Sequence, residues 1–87
     1  MNPREEELFG VLQEEAAEII QVISKRRRFG VKERNVKELE QELGDFFGVL
    51  KLLVEEGYIS LDHLEEYGEK KITKLTSNMV NQKELIS

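Results

Sequence analysis

Carboxylates interrupt the apolar face of two helical stretches, and this pattern limits the chain more than any other. One cluster is Glu14-Glu15-Ala16-Ala17-Glu18; the other is Glu42-Leu43-Gly44-Asp45. Around the first, apolar residues recur at Leu8, Val11, Leu12, Ile19, Val22 and Ile23. Around the second they recur at Leu39, Leu43, Phe46, Phe47, Leu50, Leu53 and Val54. Both series have the spacing of an amphipathic helix, and neither shows the alternation of a strand. A carboxylate on a face that seeks burial needs a partner, a shifted pKa or a metal ion.

The punctuation divides the chain into three helices. Asn2 caps the first, with Pro3 at its opening position and Glu5, Glu6 and Glu7 complementing the positive end of the dipole. Lys25 to Arg28 place positive charge at its far end, and Gly30 stops it, so it runs from about Pro3 to about Arg28. After a short polar link, Asn35 is expected to cap the second helix with Glu38 as its capping-box partner, and Gly57 to end it. Gly44 and Gly48, four apart inside that helix, suggest close approach of another helix. Ser60 caps a third helix bearing Leu61, Leu64, Tyr67, Gly68, Ile72, Leu75 and Met79. The polar tail after about Asn78 is expected to fray.

The fold class is therefore all-α, with residues 1–87 forming one domain. Phe9, Ala16, Ala17, Ile20, Val49 and Leu52 make the first two helices apolar around more than one face. Three helices of one chain would leave part of that surface wet. The expectation is a helical bundle of three main helices per chain, completed by oligomerisation into a four-helix-type bundle, as a homodimer or homotetramer.

Composition narrows the chemistry. The chain lacks Cys and has one His, His63, which excludes disulfides, thiolate sites and His-rich zinc sites. A net charge of −5, from 13 basic and 18 acidic residues, argues against a nucleic acid polymer as partner. No apolar run has membrane-spanning length, and the acidic N-terminus lacks a signal-peptide core, so a cytoplasmic location is expected.

Helix geometry says which acids can cooperate. Glu15 and Glu18 are three apart and project from one side, with Glu14 a neighbour of Glu18 at four; Glu42 and Asp45 are three apart on the second helix. Antiparallel packing would bring the two pairs face to face. Such a set offers hard oxygen ligands, suited to magnesium, with manganese as an alternative, and magnesium commonly joins carboxylates to substrate phosphates. The competing readings are acids paired with surface Lys and Arg, or a metal-free acidic groove on a helical interaction module.

At these residues the chain resembles the MazG-like family of all-α nucleoside triphosphate pyrophosphohydrolases, whose pattern is Glu-Glu-x-x-Glu followed at a variable distance by Glu-x-x-Asp. The resemblance extends to the order of the three helices. It implies hydrolysis of a nucleoside triphosphate, a dNTP or a non-standard NTP, to the monophosphate and pyrophosphate. By the same resemblance Glu15, Glu18, Glu42 and Asp45 match the magnesium ligands, and Glu14 matches a leading acid that tunes the site or orients water. The proton acceptor stays open among Glu14, Glu15 and Glu42. Lys74 and Asn78 are similar to a Lys-x-x-x-Asn element that approaches the nucleotide in some relatives, with Lys71 on the same face. The Arg-Tyr-Pro-like ending of those relatives is not found after Asn78. A chain that keeps the fold and binds nucleotide without hydrolysing it is the alternative.

Among the remaining residues, Arg26, Arg27 and Arg28 read as ordinary C-terminal helix charge, or else as a contact for phosphate or a second subunit. Phe29 reads as a packing anchor before it reads as a base-stacking ring. At least one of Phe46 and Phe47 is expected in the core, with the other free to line a base pocket.

Overall fold

The computed structural model describes residues 1–30 and 33–78, leaving aside the side chains of residues 33–35. It contains three helices: α1 (Pro3–Phe29), α2 (Glu33–Glu55) and α3 (Leu61–Asn78). The described residues contain no strand, so the all-α expectation holds. The expected fraying after Asn78 lies outside the described residues.

Local signals act largely as the sequence suggests. The Asn2 side chain accepts a hydrogen bond from the Glu5 N–H at 2.7 Å, which satisfies an otherwise orphaned donor. The Ser60 hydroxyl oxygen accepts from the His63 N–H at 3.3 Å and caps α3 the same way. Gly30 and Gly57 close α1 and α2 at φ 85° and 82°, where a side chain would be strained. The start of α2 differs from expectation: the helix is already formed at Glu33, so Asn35 lies inside its first turn and is not its cap. Glu is a good helix former, so nothing in the propensity at position 33 delays the helix to Asn35.

α1 and α2 pair as an antiparallel hairpin, and the extensive helix–helix packing is theirs. At the open end Arg4 grips Glu56 with two hydrogen bonds of 2.9 Å. Beside it the Tyr58 hydroxyl reaches Asn2 Oδ1 at 3.4 Å. One turn inward, Leu8 packs on Val49 and on Leu53, which is fully buried, with Phe9, Leu12, Tyr58 and Ile59 around them. Near the closed end Val22 is buried, and Lys25 faces Glu38 across the groove.

That core is small. Leu8, Val22, Val49 and Leu53 are the buried apolar residues among those described. α3 is exposed along its whole length. Ile20, Phe47, Leu61, Tyr67 and Ile72 each keep more than half of their surface in water, at 65%, 62%, 52%, 66% and 56%. An apolar groove of about 740 Å³ opens between α2 and α3, lined by Phe47, Leu50, Val54, Leu61 and Leu64. The surplus of apolar surface is therefore real within one chain.

Three expectations meet this exposure. Phe46 is half-buried and Phe47 turns outward into the α2–α3 groove. Phe29 is 66% exposed and carries the Arg28 guanidinium 5.4 Å from its ring centroid, so it is not a packing anchor among the described residues. A side-chain carbon added at Gly44 or Gly48 would meet nothing within 4 Å, so among the described residues no second helix approaches there.

Candidate functional site

The antiparallel hairpin decides which carboxylates meet. Mid-helix positions of α1 oppose mid-helix positions of α2, so Glu15 and Glu18 come to face Glu42. One carboxylate oxygen from each of the three lies within 4.8 Å of the other two. Asp45 stands outside this close triplet but near enough for its charge to act on Glu15 and Glu42. Glu14, beside them on α1, is exposed and acts on Glu15 by charge.

Glu15 and Glu42 are half-buried, while Glu18 and Asp45 are exposed. The Oε2 atoms of Glu15 and Glu42 are shut off from solvent without a hydrogen-bond partner. Orphaned acceptors of this kind carry a desolvation cost that a proton or a cation removes. Their titration reports the same conflict. Glu42 is pushed from an ordinary 4.5 up to about 7, first by a hydrogen bond shared with the Glu18 carboxyl, then by burial and the charges of Glu18, Glu15 and Asp45. Glu15 is also raised, by burial first and then by the charges of Glu18, Asp45 and Glu14.

The donor set fits a hard divalent cation. All ligands are carboxylate oxygens, three converge on one point, and two present unpaired inward oxygens. A cation there would reverse the local charge logic and hold all the acids ionised.

Lys71, Lys74 and Asn78 lie exposed on α3, away from the α1–α2 packing that builds the triplet. Arg27 and Arg28 are exposed in the last turn of α1, with Arg26 half-buried. The role of Glu38 differs from expectation. α2 begins before Asn35, and Glu38 Oε1 lies 3.6 Å from Lys25 Nζ on the facing helix. This pair went unread in the sequence. Its signal was spacing: Lys25 is seven residues after Glu18, and Glu38 is four before Glu42, so both prolong the stripes of the acid cluster.

The family model for the MazG nucleotide pyrophosphohydrolase domain matches residues 4–78, most of the chain, and the protein belongs to that family. No curated protein and no solved structure gave a significant match. Among the described residues, no helix is long and apolar enough to cross a membrane.

Proposed function

We propose that this chain is a magnesium-dependent nucleoside triphosphate pyrophosphohydrolase. It would act on a dNTP or a non-standard NTP and release the monophosphate and pyrophosphate. The observation that carries this reading is the convergence of Glu15, Glu18 and Glu42, with two oxygens turned inward and unpaired. Membership of the MazG family supports the reaction class.

In this reading Glu15, Glu18, Glu42 and Asp45 hold magnesium, or manganese in its place. The bound ion supplies charge neutralisation for the triphosphate and Lewis acidity at the reacting phosphorus. The protein's own part is to place the substrate and take up a proton. Water adds to the α-phosphorus, the bond to the bridging oxygen between the α- and β-phosphates breaks, and pyrophosphate leaves. The water's proton passes to a carboxylate, Glu14, Glu15 or Glu42. Lys71, Lys74 and Asn78 would contact the nucleotide. Their exposure on α3 suits a pocket completed by a second copy of the chain. A homodimer or homotetramer would also cover the apolar surfaces of α2 and α3.

Incubation of the pure protein with a panel of nucleoside triphosphates and magnesium tests the reaction. Pyrophosphate release from at least one of them is expected; its absence across the panel at high enzyme concentration would refute the reading. A magnesium titration separates it from a metal-free interaction module, which would show no thermal shift.

A further inference from the structure

The groove that gathers the carboxylates also holds a cation to which no role has been assigned. At about 3.6 residues per turn, Glu18 and Lys25 fall on the same flank of α1, and Asp45 and Glu38 on the facing flank of α2. Seven residues separate Glu18 from Lys25, about 10 Å along the axis at about 1.5 Å per residue. Glu38 is one turn from Glu42, about 6 Å by the same rise. Helical side chains lean toward their own N-terminus, so the Lys25 stem starts toward Glu18.

The Lys25–Glu38 pair is loose. Its 3.6 Å separation is longer than a hydrogen bond, and both side chains are partly in water, 52% and 37% exposed. Exposed pairs of this kind contribute little to stability and exchange partners readily. Beyond it, Arg26, Arg27 and Arg28 fill the last turn of α1 and add positive charge to that end of the helix. A phosphate chain held at the carboxylates through a cation carries further negative charge, and that charge finds favourable potential toward Lys25.

We propose that Lys25 is a phosphate-binding residue of this groove, paired with Glu38 in the free protein and handed to the phosphate chain of the bound nucleotide. This rests on the metal-dependent reading of the carboxylates. Glu38 then acts as a placeholder: it keeps the ammonium over the groove and competes with substrate for it. The rival role, a staple between α1 and α2, makes a different forecast, because losing either partner of a staple has the same consequence.

The test is calorimetric binding of inorganic tripolyphosphate with magnesium to the full chain, together with the magnesium-induced thermal shift of each variant. Lys25→Met should weaken tripolyphosphate binding roughly tenfold, the loss of one charge-assisted contact. Lys25→Arg should restore most of it. Glu38→Gln should tighten binding several-fold by freeing the ammonium. All three should keep the magnesium shift. Unchanged binding in Lys25→Met, or weakening by both Lys25→Met and Glu38→Gln, overturns the proposal while leaving the metal site standing. If the parent chain binds neither magnesium nor tripolyphosphate, the metal reading fails and this proposal fails with it.

Discussion

Glu18 on α1 and Glu42 on α2 face each other across the helical groove with carboxylate oxygens within 4.8 Å, and the interaction with Glu18 raises the Glu42 pKa more than any other influence. In a chain held together by few buried side chains, such a contact works against the fold whenever both groups are ionised. The consequences are measurable.

The metal-free protein should lose stability as pH rises. The Glu42 carboxyl titrates at an ordinary 4.5 when unfolded and at about 7 when folded. Between those values the folded state holds a proton that the unfolded chain has released. Its contribution is therefore fully present below about 4.5 and is lost as pH rises through about 7. Glu15, raised for the same reasons, acts in the same direction. The melting temperature without metal should be higher at pH 5 than at pH 8. The opposite trend would remove the electrostatic account of the site.

Magnesium should reverse that trend. Below about pH 7 the ion must displace the Glu42 proton, so its affinity should climb as the carboxyl ionises. The magnesium-induced rise in melting temperature should thus be larger at pH 8 than at pH 6. Chelation should return the protein to its metal-free melting curve.

Glu42→Gln should separate stability from activity. The neutral amide relieves repulsion with Glu18 and Glu15, so the metal-free variant should melt no lower than the parent. The same change should abolish the magnesium shift and reduce pyrophosphate release about 100-fold or more. Retention of both by the variant would exclude Glu42 from the site.

Leu53→Ala should be among the most damaging substitutions. Leu53 is fully buried between the two helices, against Leu8 and Val49. Truncating a buried Leu typically costs about 2–5 kcal/mol, from lost transfer energy and the cavity left behind. Denaturant unfolding monitored by circular dichroism measures it. A loss well under about 1 kcal/mol would mean that the site collapses to fill the void.

Phe47→Glu should alter assembly before it alters the hairpin. Phe47 lies in the open α2–α3 groove and not between α1 and α2. If the apolar surface is covered by a second copy, this charge should shift light-scattering mass toward the monomer and leave helicity largely intact. An unchanged mass in both proteins would remove Phe47 from any interface.

Much of the fold was legible because its signals are local. Asn2, Pro3 and Gly30 bound α1 through chemistry confined to one turn. Gly57 and Ser60 do the same between α2 and α3. The start of α2 was less legible: Asn35 is a good capping residue, but Glu33 and Arg34 form helix equally well, and choosing between starts two residues apart falls within the usual error. An aromatic next to a turn has no local indicator of which side it faces, and Phe29 lies exposed under Arg28.

The acid triplet was legible in part. Spacing places Glu15 with Glu18 and Glu42 with Asp45, because residues three apart share a helix face. Spacing carries no information on how one helix slides along the other. That offset is set by Leu8 packing on Val49 and Leu53 and by the clasp of Arg4 on Glu56. It brings Glu42 into the triplet, leaves Asp45 at its edge, and sets Lys25 against Glu38.

By itself, then, the sequence determined what each helix is and which residue types its inner face presents, since propensity, capping and periodicity act within one helix. Tertiary structure alone decided which of those acids meet, which oxygens lose water and which carboxyl has its pKa raised the most. Those outcomes depend on distances between separate helices, and packing sets such distances.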